Sequence, residues 1–302
     1  MKLVLGTARF VANHADEQFE LLDAAYELGI RAVDTAHVYG DGDSERMIGR
    51  WLRARGTASS VTVMTKCCHP YGDEPRVNPD AVAADIDDSL HRLGLDRLAL
   101  CMLHRDDVTV PISELVDAFA AQIQAGRVEA YGVSNWSTAR LREAISYARA
   151  AGQPPPVAAS SHLSLARPAT DIFGCVGLVA EGATSVDLRW YVEASFPLFA
   201  WSPLAGGFLS GRTAASEGKV DHYMWSVFDT QPNRDRLRRA RQLATERGLD
   251  IAQVALAYVL TTAPDVWAVV STSRPAALNA LVRATEVQLS QRDRELLDHG
   301  NA

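Results

Sequence analysis

An aspartate, a tyrosine, a lysine and a histidine stand at or just beyond the ends of successive apolar runs in the 302-residue chain. Asp34 closes one run and Tyr39 follows shortly after, the next run leads straight into Lys66, and the one after it leads into His104. A lysine held between a carboxylate and a phenol stays protonated and stabilises phenolate, which on this reading draws the Tyr39 pKa down toward the range of a working general acid. A neutral His104 can hydrogen-bond a carbonyl oxygen and orient it, so Tyr39 and His104 together suit an alkoxide as it develops. The chemistry is carbonyl reduction, and it needs a hydride donor that no side chain supplies. Each residue also has an ordinary structural explanation: Asp34 as a turn cap, Lys66 as a rim ion pair, His104 as a satisfied core imidazole. Four coincident placements outweigh those separate explanations.

The elements that must position these groups follow from the same runs. Eight short β-branched and apolar segments are spaced to leave room for a helix between each pair: Leu3–Gly6, Ala32–Thr35, Val61–Thr65, Leu98–Leu103, Val128–Val133, Val157–Ser161, Leu198–Ser202 and Val266–Ser271. Between them, Phe19, Leu22, Tyr26 and Ile30 recur at helical steps, as do Val82, Ile86, Leu90 and Leu93, then Ile112, Leu115, Phe119 and Ile123. The α/β pattern predicts a single-domain (β/α)8 TIM barrel over residues 1–302, with the polar residues gathered at the carboxyl ends of its strands, where barrels carry their active sites. Ser134 and Asn135, which follow the fifth run, join that rim. Residues 168–184 and 206–233 exceed a minimal unit and read as long loops at the same face, the second bearing Tyr223, Trp225 and Phe228. Those aromatics either line a substrate pocket or anchor the loop, and Tyr223 and Trp225 count as substrate candidates.

Composition excludes several function classes. Thirty Lys and Arg against 37 Asp and Glu give a formal charge of −7, a poor footprint for gripping nucleic acid or anionic lipid. Cys67, Cys68, Cys101 and Cys175 lack metal-ligand spacing, and the vicinal pair is a poor start for a disulfide, so reduced thiols and no metal are expected. The opening MKLVLGTARF has no signal-peptide core and no apolar run reaches membrane length, which points to a cytoplasmic chain without a membrane partner.

At this level of detail the chain resembles the aldo-keto reductase superfamily along nearly its whole length. The segments that carry the likeness are DTAHVYGDGDSERMIG at 34–49, TKCCHP at 65–70, LHRDD at 103–107, GVSNWS at 132–137 and FAWSPLAGGFLSG at 199–211. The resemblance implies a barrel that binds NADPH without a Rossmann fingerprint and reduces an aldehyde or ketone, with Tyr39 as general acid, Lys66 and Asp34 tuning it, and His104 orienting the carbonyl. It implies further that Ser134 and Asn135 bond the nicotinamide carboxamide, that Trp201 stacks on the ring, and that Ser202 and Leu204 open the loop along the pyrophosphate. Gly6, Thr7 and Gly207 complete the candidate cofactor set on this side. Where the family usually has Gln at the end of the sixth strand, this chain has Ser160, a shorter side chain. After the eighth strand STSRPAALNAL is similar to the adenosine-phosphate segment, with Ser271, Ala280 and Leu281 replacing the usual Gly, Glu and Asn. Ser273 and Arg274 precede Pro275 at a helix start, where free N–H groups and a guanidinium suit a 2′-phosphate.

The polar rim with His37, His69 and Arg105 suits a hydroxylated substrate such as a sugar or sugar-like carbonyl, and His37 and Arg105 enter as substrate candidates. Two other readings compete: a barrel lyase or isomerase using Tyr39 and Lys66 for proton abstraction, and a cofactor-holding module related to channel β-subunits. The first leaves Ser134, Asn135 and Trp201 without a task, and the second has no use for an intact tetrad.

Overall fold

In a computed structural model, which describes residues 1–72, 74–170, 172, 185–211 and 222–300, every apolar run lies on a parallel strand. The strands are β1 (Leu3–Gly6), β2 (Ala32–Asp34), β3 (Thr62–Cys67), β4 (Leu98–Leu103), β5 (Val128–Ser134), β6 (Ala158–His162), β7 (Leu198–Trp201) and β8 (Val266–Val270). They pair in chain order and close into a barrel. The helices are α1 (Ala15–Glu27), α2 (Asp43–Arg55), α3 (Pro79–Leu93), α4 (Ile112–Gln124), α5 (Thr138–Ala151), α6 (Ser185–Ala194), α7 (His222–Phe228), α8 (Gln231–Arg247), α9 (Ile251–Leu260), α10 (Pro275–Ala284) and α11 (Gln291–His299). Strands buried on both faces read as near-continuous apolar runs, and β1 and β4 are buried almost throughout. β3 runs further than its sequence suggests because β4 continues beside it, pairing Lys66 with Met102 and Cys67 with Leu103. Lys66 therefore projects from inside a strand.

The chain divides into two compact units, Val4–Ser160 and a second made of Met1–Leu3 with Ser161–Ala302. In the first, local chemistry fixes the helix ends. Asn78 Oδ1 accepts from Ala81 N–H at 2.9 Å and Pro79 supplies a preset φ, so α3 starts there; it stops at Gly94, whose φ of +67° a side chain would strain. Ser137 caps α5 in the same way, accepting from Arg140 N–H at 3.2 Å. α2 lies close on α3: a Cβ at Gly49 would meet the Leu93 carbonyl oxygen at 2.5 Å, so alanine there forces the helices apart.

In the second unit, Thr230 caps α8, and α9 and α11 open with capping boxes built by Asp250 with Gln253 and Ser290 with Asp293. The stretch 206–233 is not an irregular loop throughout. Its aromatics lie on α7, where Met224, Val227 and Phe228 at steps of three and four are buried. A turn of helix gives them one face to bury, which an extended loop cannot. Residues 212–221, and 171 and 173–184 of the other expected loop, lie outside the described residues.

Candidate active site

All four tetrad candidates belong to the Val4–Ser160 unit and sit at the carboxyl ends of adjacent strands: Asp34 ends β2, Lys66 lies near the end of β3, and His104 follows β4. Tyr39 opens a short turn after β2 in which Gly40 and Asp41 adopt positive φ. Thr7 Oγ1 donates to the Asp34 carbonyl at 2.8 Å, and Ser44 Oγ lies 2.7 Å from Thr7 Oγ1 and 2.8 Å from Thr35 Oγ1, so α2 pins the end of β2. Thr7 is thereby used in holding backbone, and Gly6 pairs with Asp34 in the sheet.

The lysine has three donors and three partners: Nζ donates to Asp34 Oδ1 at 2.7 Å, to the Thr35 carbonyl at 2.8 Å and to Tyr39 Oη at 3.4 Å. Burial opposes its charge, yet Asp34 and Tyr39 hold its pKa above the usual lysine value, so it stays an ammonium. Tyr39 departs from the sequence expectation. Burial raises its pKa and the Lys66 charge, acting the other way, does not win. Sequence reasoning counted the neighbouring charge and could not count the lost solvent. The consequence is a phenol that keeps its proton at neutral pH. Burial also pushes the His104 imidazole well below the histidine range, with Lys66, Arg105 and His69 adding to the effect, so it is neutral. Its ring stands edge-on to Tyr39 at 5.6 Å between centroids, and its buried Nδ1 has no hydrogen-bond partner.

Behind these groups lies a polar network that sequence reasoning did not find. Asp85, on the buried face of α3, accepts from Arg76 through both oxygens at 2.5 and 3.0 Å and from Cys68 N–H at 2.8 Å. Arg76 reaches on to the His69 carbonyl at 3.3 Å. His37 is buried; its Nε2 meets Asp88 Oδ2 at 3.0 Å and its Nδ1 meets Tyr71 Oη at 3.4 Å. The structure uses His37 to hold the β3–α3 connection and gives it no free ring nitrogen for a substrate. The available signal was an aspartate on the apolar stripe of α3, next to Ile86. Glu45, also fully buried, accepts from Thr65 Oγ1 at 2.6 Å and from Arg92 at 3.2 Å.

At the end of β5, Asn135 has φ +62° and its Nδ2 donates to the His104 carbonyl at 3.1 Å and to Ser134 Oγ at 3.0 Å. Ser160, the register partner of Ser134 on β6, is buried with no partner on Oγ. A buried hydroxyl without a partner costs free energy unless something fills the role, and a carboxamide beside Ser134 and Asn135 would fill it. The unpartnered Ser160 hydroxyl thus suits a nicotinamide amide.

In the second unit, Trp201 ends β7 with the His162 ring edge-on at 5.1 Å. His162 is buried with neither ring nitrogen hydrogen-bonded, and burial lowers its pKa to about 3. Ser202 follows at φ +50°, and Leu204 leads into the turn Ala205–Gly207. Ser273 and Arg274 are exposed, and Arg274 occupies the N-cap of α10. Trp225 packs on Phe208 at 5.2 Å, Phe228 on His162 at 5.4 Å, and Tyr223 is exposed. Cys67, Cys68 and Cys101 are buried free thiols, and Cys175 lies outside the described residues.

Comparison with known proteins gives a consistent result. The model of the Aldo/keto reductase family matches residues 2–301. The chain is 28% identical over 300 residues to the aldo-keto reductase str7 of Strobilurus tenacellus, covering 96% of this chain and 83% of that one. It is 28% identical to the uncharacterized oxidoreductase YrpG of Bacillus subtilis, covering 98% and 90%. A protein of Oryza sativa subsp. japonica named as a probable voltage-gated potassium channel subunit beta is 28% identical over 83% of this chain and 76% of its own. Among solved structures, the thermostable aldo-keto reductase Tm1743 superposes with a TM-score of 0.77 at 24% identity, over 100% of this chain and 95% of that one, and shares the fold. Among the described residues no helix is long and apolar enough to cross a membrane.

Proposed function

The chain belongs to the aldo/keto reductase family, and from that footing we propose that it reduces an aldehyde or ketone to the alcohol, with Tyr39 as proton donor and NADPH as reductant. Membership makes it a nicotinamide-dependent oxidoreductase acting on small carbonyl compounds; the residue roles are the finer reading. When bound, the nicotinamide supplies hydride to the carbonyl carbon. Ser134, Asn135 and Ser160 would hold its carboxamide. Trp201 and, at the adenosine phosphate, Arg274 with the start of α10 are the candidates carried by the second unit. Tyr39 Oη gives its proton to the carbonyl oxygen, and Lys66, 3.4 Å away, stabilises the phenolate left behind. Neutral His104 is the donor that orients the carbonyl.

The single observation that supports this best is the Asp34–Lys66–Tyr39 chain, a buried ammonium bonded at once to a carboxylate and to a phenol. Its test is Tyr39→Phe, which removes the proton donor and leaves the carboxamide-binding residues in place. Carbonyl reduction is expected to fall by about 10²- to 10⁴-fold, with NADPH affinity by tryptophan fluorescence nearly unchanged. Retention of half the wild-type turnover would take Tyr39 out of the mechanism. A protein that binds NADPH yet reduces no member of an aldehyde panel would favour a cofactor-holding role.

A further inference from the structure

Six cations of the Val4–Ser160 unit are buried or half-buried: Lys66, Arg76, Arg92, Arg105, Arg127 and Arg140. Five have a carboxylate within 4 Å. Lys66 pairs with Asp34, Arg76 with Asp85, Arg92 with Glu45, Arg127 with Asp87 and Arg140 with Asp106. Arg105 has none among the described residues, although it precedes two aspartates in the chain. Asp106 turns to Arg140 at 3.2 Å, and Asp107 accepts from Thr109.

The contacts Arg105 does make are neutral. Its Nη1 donates to the His104 carbonyl at 3.4 Å, and its Nη2 lies 3.3 Å from His69 Nε2. His69 Nδ1 lies 2.8 Å from the Pro70 carbonyl, so that nitrogen carries the proton and Nε2 presents a lone pair to Arg105. Burial keeps His69 below the usual histidine range, which preserves that neutral tautomer. The His69 ring in turn lies edge-on to His104 at 4.7 Å. Arg105 is thus a partly buried guanidinium, aimed by an uncharged histidine and left unneutralised, within electrostatic reach of both Tyr39 and His104. A partly desolvated cation without a counter-ion is costly, and an oxyanion is the group its planar donors match.

We infer that Arg105, held by His69, receives an anionic group of the substrate, so that the preferred carbonyl compound carries a carboxylate or a phosphate. This rests on the carbonyl-reductase reading of the same site. The His69 ring touches both groups, its Nε2 3.3 Å from Arg105 Nη2 and its centroid 4.7 Å from that of His104.

The test sets para-carboxybenzaldehyde against its methyl ester, and glyceraldehyde phosphate against glyceraldehyde, with kcat/KM as the readout and NADPH as reductant. One pair is expected to favour the anion by about tenfold or more, as a charge-assisted contact allows, and the pair with the larger ratio identifies carboxylate or phosphate. Arg105→Met should bring that ratio near unity, mainly by raising KM for the anionic compound, and Arg105→Lys should keep part of it. Ratios at or below one in both wild-type pairs overturn the inference while leaving the reductase reading intact. So does an Arg105→Met variant that slows charged and neutral partners alike, or one whose main defect is weaker NADPH binding by fluorescence. If no carbonyl is reduced at all, calorimetry with benzoate, benzamide and inorganic phosphate decides. Benzoate or phosphate binding that depends on Arg105 sustains the anion site without the reductase reading, and absence of binding by both removes it.

Discussion

Ser134 and Ser160 are register partners across β5 and β6, and the Asn135 N–H donates to the Ser160 carbonyl at 2.8 Å while the Ser160 hydroxyl itself stays buried and unbonded. The backbone at this point is satisfied and the side chain is not. A hydroxyl in that state weakens the cofactor-free fold and rewards a partner.

Ser160→Ala should therefore act in opposite directions on stability and on binding. The cofactor-free protein is expected to hold its melting temperature or gain about 1 kcal/mol, while NADPH affinity falls about two- to tenfold. Thermal melts with and without NADPH, together with a fluorescence titration, read both effects. A lower melting temperature with unchanged affinity would make Ser160 a structural residue.

Arg274, exposed at the N-cap of α10, is expected to read the 2′-phosphate. Arg274→Ala should weaken NADPH by about tenfold or more and leave NADH nearly unaffected, because a charge-assisted contact contributes roughly 1.5–3 kcal/mol. Equal weakening of the two cofactors would show that the guanidinium serves something else.

Two buried imidazoles set an acid limit on stability. His104 and His162 both have folded-state pKa values depressed by burial, His162 to about 3 from the ordinary 6.5. Below that ordinary value the unfolded chain binds protons that the folded chain does not, so stability is complete above it and declines as pH falls. The expected slope is about 1.4 kcal/mol per pH unit for each imidazole, and the His162 contribution persists down to about pH 3. Urea unfolding between neutral and mildly acid pH measures it, and His162→Phe should remove one imidazole's share. An unchanged slope in that variant would show that His162 takes up its proton while folded.

Trp225 packs against Phe208, as Phe228 does against His162, which favours anchoring of α7 for both. Trp225→Ala should destabilise the protein by about 1–3 kcal/mol and scale kcat/KM alike for small and bulky carbonyls. A changed size preference at constant melting temperature would move Trp225 to the substrate pocket.

What could be read before the structure was what periodicity and strand-end chemistry carry. Leu3–Gly6 and Leu98–Leu103 match β1 and β4 to the residue, Asp34 and His104 stand at strand ends as expected, and Lys66 lies inside β3, one residue short of its end. The end of β3 was missed because its last residues are fixed by the β4 partner and not by their own types. α7 was missed since its sequence is short and follows Gly-rich residues, so its apolar face emerges only when packed. His37 meets Asp88 across 51 residues of sequence, and the direction of the Tyr39 shift depends on burial; neither is a property of any local window.

Asp85 also bears on how the β3–α3 connection can be altered. Its oxygens grip the chain at Cys68 and again at Arg76, which leaves a bight tied at both ends to one rigid helix. Within it Gly72 has open space around it and Glu74 is exposed. Such a bight is a graft point: new sequence can be spliced around Gly72 and Glu74 while Cys68, Arg76 and Asp85 keep its two feet planted, and His69 stays beside His104. A graft that replaces Arg76 would instead strand a buried carboxylate, so in laboratory evolution a change at Arg76 is tolerable only after Asp85 has become neutral.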